Sequence, residues 1–247
     1  MPPVSGFDLL RLTIRSFFVQ TGFSYDRMIA LGFAWILEAA AKKLCSSLGE
    51  RREFLRRHLD SFNANPYLVG YAVGAVTKLE ETKTPPEQIG RFKESLRGPL
   101  GALGDNLIWQ NLRPALLILG LILTSRYGLY GIVTFFVLFN LYQIYIRARG
   151  VIKGYQLGLK VSSDLTRGHL QGVAKWSGRM GAALFGVVLV MKLSQPGRGS
   201  FQPDEAAFLV FFSLLSFWGL KRNTSPGLIL LAFLAFLVIV NLLLALI

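Results

Sequence analysis

The sequence predicts an all-α integral membrane protein. Amphipathic or re-entrant helices make up an N-terminal part, residues 1–106, and a transmembrane helix bundle makes up a C-terminal part, residues 107–247. Three observations predict this. First, 52 % of the 247 residues are apolar and the mean hydropathy is +0.46, more apolar than a soluble domain of this length. Second, charge is unevenly spread: residues 1–106 hold 14 Lys/Arg against 11 Asp/Glu, while residues 107–247 hold 13 against 3. Third, the apolar runs that approach bilayer length fall in the second part, and the 20 residues 228–247 are the clearest span. A net charge of +13 could point to nucleic acid. The basic excess instead lies between apolar runs, as expected for positive charge kept on the cytoplasmic side of a membrane, so no nucleic-acid partner is expected.

Residues 5–18 read as an amphipathic helix. Ser5 and Asp8 fit an N-terminal capping pattern, and Phe7, Leu10, Ile14 and Phe17 form one apolar stripe. Such a helix lies on a bilayer, packs on a partner, or serves as a plain core helix. Residues 27–48 form a second helix; its apolar run, 28–41, contains Glu38 and is too short for an easy span. Arg51, Arg52, Arg56 and Arg57 with Glu50 and Glu53 read as a solvated helix face or a lipid-headgroup contact. His58 is read as structural or solvated rather than as a phosphate carrier. In the turn from Phe62 to Tyr67, Asn65 suits a cap and Pro66 a helix start. Asn63 and Asn65 are also candidates for sugar hydroxyls. Gly70 and Gly74 then permit close helix approach, in a run of about eleven residues that is too short to cross roughly 30 Å of hydrocarbon.

The stretch from Gly98 to Pro114 joins the two parts. Gly98, Pro99, Gly101 and Gly104 crowd it, so the spacing predicts a helix break there and a restart capped by Asp105. Past the restart, Asn106, Trp109 or Gln110, and Arg113 share one face. Two readings stand side by side. One is a tight connection with Asp105 as a cap and Arg113 as an interface anchor. The other is a solute or subunit site of the kind that broken helices build in transporters.

Beyond it, residues 115–125 and 128–146 are apolar, with aromatics at a turn near Tyr127–Tyr130 and with Asn140 and Gln143 inside the second run. Asn140 is expected to bond across to a neighbouring helix. Residues 147–179 carry seven Lys/Arg against Asp164 alone and are placed in the cytoplasm. Gly150, Gly154 and Gly158 suggest a packed helix there. Residues 180–193 are apolar, 194–203 form a polar loop, and 206–220 with 228–247 form a final hairpin around Lys221, Arg222 and Pro226.

Cys45 is the sole cysteine, which excludes an intrachain disulfide, and no signal peptide is apparent. No metal-ligand cluster, phosphate loop, or Ser/His/Asp or Cys/His grouping is legible, so no metal, cofactor or self-contained enzyme is expected. The polar and apolar surfaces together point to a subunit that needs companions.

Several segments together carry a resemblance: Arg15-Ser-Phe-Phe18 with Tyr25-Asp-Arg-Met28; Arg57-His58; Phe62-Asn63-Ala-Asn65-Pro66-Tyr67-Leu68; Gly98-Pro99-Leu100 with Gly104-Asp105, Trp109 and Leu112-Arg113-Pro114; Phe136-Val-Leu-Phe-Asn140; and Gly154-Tyr155-Gln-Leu-Gly158. In these the chain resembles the IID subunit of the mannose/fructose/sorbose-type bacterial phosphotransferase system (PTS), over nearly its whole length. The resemblance implies a multi-pass inner-membrane subunit that is not itself phosphorylated. It would pair with a IIC subunit to form the channel for a mannose-type hexose, with phosphorylation by IIB, fed by IIA. A higher oligomer of IIC–IID pairs is expected. Asn63, Asn65, Gly98, Pro99, Gly104, Asp105, Asn106, Trp109, Arg113 and Asn140 are the candidates for the sugar path or the IIC interface. The chain departs from the family where Asn106 replaces a usual Ser and Ala64-Asn65 precede the motif proline, and it is shorter than many members. An orphan membrane scaffold without transport is the alternative.

Overall fold

The computed structural model describes residues 3–193; the predicted polar loop 194–203 and the final hairpin lie outside the described residues. Among the described residues the regular structure is helical, and no strand forms beyond two isolated bridges at Ser24–Met28 and Met28–Phe62.

α1 (Gly6–Ser16) begins with the predicted capping box, in which Asp8 accepts from the Ser5 N–H at 2.8 Å. Its predicted apolar stripe faces outward, and its inward face is mixed, with Leu12 fully buried beside polar groups. Phe7, Leu10 and Ile14 are 60, 52 and 54 % exposed, while Asp8, Thr13 and Ser16 are buried. The plain core-helix alternative is therefore set aside. Asp8 tolerates burial because Lys43 and Ser5 hydrogen-bond its carboxylate; these outweigh the desolvation that opposes ionisation and hold its pKa below the usual value. α2 (Ala30–Leu44) buries most of one side and pairs Glu38 with Arg15 and Arg51. α3 (Leu48–Arg56) is capped by Ser47, which accepts from the Glu50 N–H, and is largely exposed as predicted.

α4 (Val69–Glu81) lies at the centre of the core, with eleven of its 13 residues buried. It packs against α7 (Leu129–Leu157) through reciprocal glycines. A Cβ at Gly74 would stand 2.1 Å from the Val151 carbonyl oxygen, and one at Gly154 would stand 2.3 Å from the Tyr71 carbonyl oxygen. The two backbones thus touch, which no larger residue permits at these positions. The third predicted rung, Gly158, does something else. It ends α7 with φ +54°, a conformation glycine adopts without steric cost, and α8 (Val161–Arg167) follows. Glu81 fastens the ends of this core: it accepts from the Val4 N–H and the Tyr155 hydroxyl, each at 2.7 Å.

α5 (Pro86–Gly104) leads into a π-helical segment (Asp105–Leu112) and then α6 (Arg113–Tyr127), 42 helical residues in all. This corrects the predicted break at Gly98–Gly104. Ile89, Phe92, Leu96, Leu100 and Gly104 recur on the buried side, and packing of that stripe outweighs the poor propensity of glycine and of Pro99. Asp105 accordingly keeps helical angles and is not an N-cap. Gly128, at φ +59°, makes the turn from α6 to α7, flanked by the exposed Tyr127 and Tyr130 as predicted. By length and composition, residues 86–127 and 129–165 include two helical stretches able to cross a membrane. α9 (His169–Leu193) completes the described chain.

Candidate functional site

The candidate residues converge where the loop before α4 meets the α5–π junction. Asn65, 3 % exposed, uses both ends of its amide. Its Oδ1 accepts from the Tyr67 N–H at 3.0 Å, and its Nδ2 donates to Asp105 Oδ1 at 2.9 Å. Gly104 makes this contact sterically feasible: a Cβ there would lie 2.2 Å from the Asn65 Cβ. The helix starts later than the sequence predicts: α4 begins at Val69 with Leu68 at its N-cap, so Asn65 closes the turn before the helix rather than capping it, and the same side chain ties that turn to the distant carboxylate.

The loop is held from behind by Arg147 of α7, which is buried. Its Nη1 donates to the Ser16 and Pro66 carbonyls, both at 2.6 Å, and its guanidinium lies 4.7 Å from the Phe17 ring centre and 5.1 Å from that of Tyr67. The carbonyl of Ser16, in the last turn of α1, has no onward helical N–H to accept from, and the carbonyl of Pro66 lies in a turn; one cation serves both. The Tyr67 ring then meets Trp109 at 5.7 Å and Phe139 at 6.1 Å, so the loop, the π segment and α7 share one aromatic cluster.

The π segment supplies the polar face. The Arg113 N–H reaches back five residues to the Ile108 carbonyl. Pro114 explains the wide turns: it offers no N–H, and its ring crowds the carbonyl four residues earlier. Asn111 Nδ2 donates to the Asn106 carbonyl at 2.6 Å, and Asn106 Nδ2 donates to Gln110 Oε1 at 3.2 Å. Arg113 stacks over Trp109 at 5.0 Å. Asp105, Asn106, Trp109, Gln110 and Arg113 are all exposed. Beside Asn106 opens a cleft of about 360 Å³, lined also by Pro99, Leu103, Gln171 and Lys175.

The family model described as the PTS system mannose/fructose/sorbose family IID component matches residues 4–194. The chain belongs to this family. The mannose-specific EIID component of Escherichia coli strain K12 is 31 % identical over 188 residues, 74 % of this chain and 66 % of the relative. The fructose permease IID component of Bacillus subtilis strain 168 is 28 % identical over 187 residues, 74 % of this chain and 68 % of the relative. A chain in the cryo-electron microscopy structure of the mannose transporter ManYZ with microcin E492 superposes with a TM-score of 0.62 at 25 % identity, covering 96 % of both chains. The chain thus spans just under two thirds of the length of its Escherichia coli relative.

In this IID component the predicted residues divide. Asn65, Gly104 and Asp105 are in direct contact, and Asn106, Trp109 and Arg113 continue the same face. Pro99 lines the cleft. Asn63 is exposed on the loop and stands outside the Asn65–Asp105 pair. Gly98 is exposed, and a Cβ there meets nothing within 4 Å, so its space is not required by packing. Asn140 does not make the expected bond across helices: its Nδ2 donates to the Phe136 carbonyl of its own helix at 2.7 Å. A side chain four residues on can reach that carbonyl without any neighbour. Sequence reasoning missed Tyr67, Asn111 and above all Arg147. Arg147 directly follows the apolar run 128–146, but with Arg149 close behind it the sequence does not set it apart from the basic segment 147–179.

Away from this face, His58 is 1 % exposed and its Nε2 stands 2.9 Å from Glu80 Oε1, while Arg57 pairs with the same carboxylate. A carboxylate only accepts, so Nε2 carries the proton and buried Nδ1 has no partner. Burial pushes the His58 pKa down, and the bond to Glu80 only partly offsets it. This is a structural histidine.

Proposed function

We propose that the chain is the IID membrane subunit of a PTS permease, pairing with a IIC subunit to form the path by which a mannose-type hexose enters. A IIB subunit, fed by IIA, then phosphorylates the sugar on the cytoplasmic side, and this subunit does no phosphoryl chemistry itself. The observation that carries the reading is the family match over residues 4–194, joined to two helices long and apolar enough to span a bilayer. In this reading the chain is a multi-pass inner-membrane protein, with amphipathic and re-entrant helices in residues 1–106, membrane helices in 107–247, and residues 147–179 in the cytoplasm. IIC–IID pairs assemble further into a higher oligomer.

Within that assembly, the exposed face formed by Asp105, Asn106, Trp109, Gln110 and Arg113 meets IIC or lines the sugar path. Amide and carboxylate groups match sugar hydroxyls, and an indole covers an apolar sugar face. Asn65, Gly104 and Arg147 hold that face in place, and Asn140 offers a second polar contact on α7. Co-expression with the cognate IIC and IIB, followed by a panel of labelled mannose, fructose and sorbose, tests the reading. Co-purification with IIC and uptake that requires both membrane subunits is the expected result. Stable membrane insertion without IIC pairing or uptake would instead leave a scaffold, and transport by the chain alone would also overturn the reading.

A further inference from the structure

We propose that the cleft between α1 and α2 is a binding site for the phosphodiester headgroup of an anionic membrane lipid, with the outward stripe of α1 seated among the acyl chains. The inference rests on the membrane placement of the chain and not on which sugar it handles. The cleft measures about 340 Å³ and is lined by Arg11, Ile14, Arg15, Glu38, Ala39 and Lys42. Its one carboxylate is already engaged: Glu38 accepts from Arg15 at 2.6 Å and pairs with Arg51. Among the described residues neither Arg11 nor Lys42 has a carboxylate within ion-pair reach. Three cations therefore line the cleft beside one acid, which Arg51 also neutralises, and among the described residues Arg11 and Lys42 have no ion-pair partner.

The apolar surface is continuous with this basic rim. Ile14 belongs to both the cleft and the exposed stripe. Arg11 lies 4.4 Å over the Phe7 ring and Arg15 lies 4.7 Å over the Trp35 ring, with Trp35 packed edge-on against Phe18 at 6.3 Å. Each guanidinium thus caps an aromatic side chain that remains exposed. That layering of apolar body below cation suits a headgroup boundary, where chains lie below and phosphates above. A protein partner would have to bring acids to Arg11 and Lys42 as well as apolar side chains to the stripe. An anionic bilayer supplies both chemistries at once.

The test uses the full chain with whatever subunits co-purify. It is reconstituted in phosphatidylcholine vesicles doped with phosphatidylglycerol, and retained lipid is then read by native mass spectrometry. Wild type should retain phosphatidylglycerol in preference. The double variant Arg11→Gln/Lys42→Gln, both at surface positions, should lose that preference by about tenfold or more while melting normally, since each cation near an anionic surface contributes on the order of a fivefold factor. Equal retention by the two proteins overturns the proposal. Displacement of the lipid by inorganic phosphate alone would reassign the cleft to a free anion and overturn the lipid. A photoreactive side chain at Ile14 should label lipid; labelling confined to a co-purifying protein would refute the lipid seat. Sugar uptake is measured on the same proteoliposomes, so loss of transport and loss of lipid selectivity are read separately.

Discussion

The bond between Asn65 and Asp105 is the contact on which the candidate face turns, and a double-mutant cycle measures it. Asn65 is 3 % exposed, whereas Asp105 is open to its surroundings. Asp105→Ala removes the acceptor at 2.9 Å and leaves a buried amide donor without a partner. Hydrogen bonds to charged groups contribute about 1.5–3 kcal/mol, and an orphaned buried donor costs a similar amount; the exposure of Asp105 places the expectation near the low end, about 1–2 kcal/mol. For a chain of this size that corresponds to a fall in Tm of about 2–8 °C in detergent. Asn65→Ala should cost more, because it also strips the acceptor from the Tyr67 N–H. The two changes together should fall short of their sum by about 1–2 kcal/mol. Uptake and co-purification with IIC, measured on the same variants, separate bracing from sugar contact. Lost pairing marks a brace, while intact pairing with raised KM marks the path. A coupling energy below about 0.5 kcal/mol, the scatter of independent sites, would refute the claim that these residues act as a pair. Unchanged uptake and unchanged pairing would remove Asp105 from both roles.

Three further outcomes follow from the geometry. Gly74→Ala drives a Cβ into the Val151 carbonyl and should destabilise by about 3 kcal/mol or more, whereas Gly90→Ala, with nothing within 4 Å, should be neutral or stabilise by up to about 1 kcal/mol; thermal melting of both variants checks the contrast. Arg147→Met strands two carbonyls and should cost about 2–5 kcal/mol, with Arg147→Lys recovering only part because its compact ammonium lacks the planar fork that also stacks on Phe17 and Tyr67. The His58 pKa is held below its usual 6.5 by burial, so its contribution to stability is complete above pH 6.5 and is lost as pH falls toward the folded value. Glu80, desolvated but held ionised by His58 and Arg57, adds its own loss only below its usual 4.5. Stability should therefore fall in the wild type below pH 6.5, by up to about 1.4 kcal/mol per pH unit, seen as a lower melting temperature at pH 5.5 than at 7.5, and His58→Gln should flatten that slope.

The helices themselves were legible because period and punctuation agreed. The Ser5–Asp8 box and the turn at Gly128 are local signals, and each appears where the sequence puts it; the predicted helix 27–48 instead ends at Leu44, and Ser47 caps a new helix. The glycine pairs at 70 and 74 and at 150 and 154 announced close approach, although nothing in their spacing said that they met each other. The Gly98–Gly104 stretch misled because local propensity and tertiary packing disagreed there. Three glycines and a proline argue for a break, but Leu100 and Gly104 continue a buried stripe that begins at Ile89, Phe92 and Leu96, and burial prevailed. The irregularity was displaced onto the segment before Pro114, where a missing N–H and a crowded carbonyl act whatever the packing. Arg147 was unreadable for another reason. Its partners are the carbonyls of Ser16 and Pro66, 131 and 81 residues away, and a backbone acceptor leaves no mark in the side-chain pattern.

The polar groups of this face fall into two kinds, and the distinction bears on how a subunit waits for its partner. Asn65 and Arg147 are buried and bonded across the fold, so freeing either strands other groups and costs several hydrogen bonds. Asn106, Gln110, Asn111 and Asn140 instead satisfy one another, or a carbonyl of their own helix, within four or five residues. Such local bonds on an exposed face are worth only about 0.5 kcal/mol each. They keep amides from standing naked in an apolar setting, yet they can be exchanged for a neighbour's hydroxyls or amides at little cost. A rigid frame carrying weakly self-satisfied polar groups can persist unassembled and still recognise what arrives, and here that frame runs from the carbonyl of Ser16 through Arg147, Pro66 and Asn65 to Asp105.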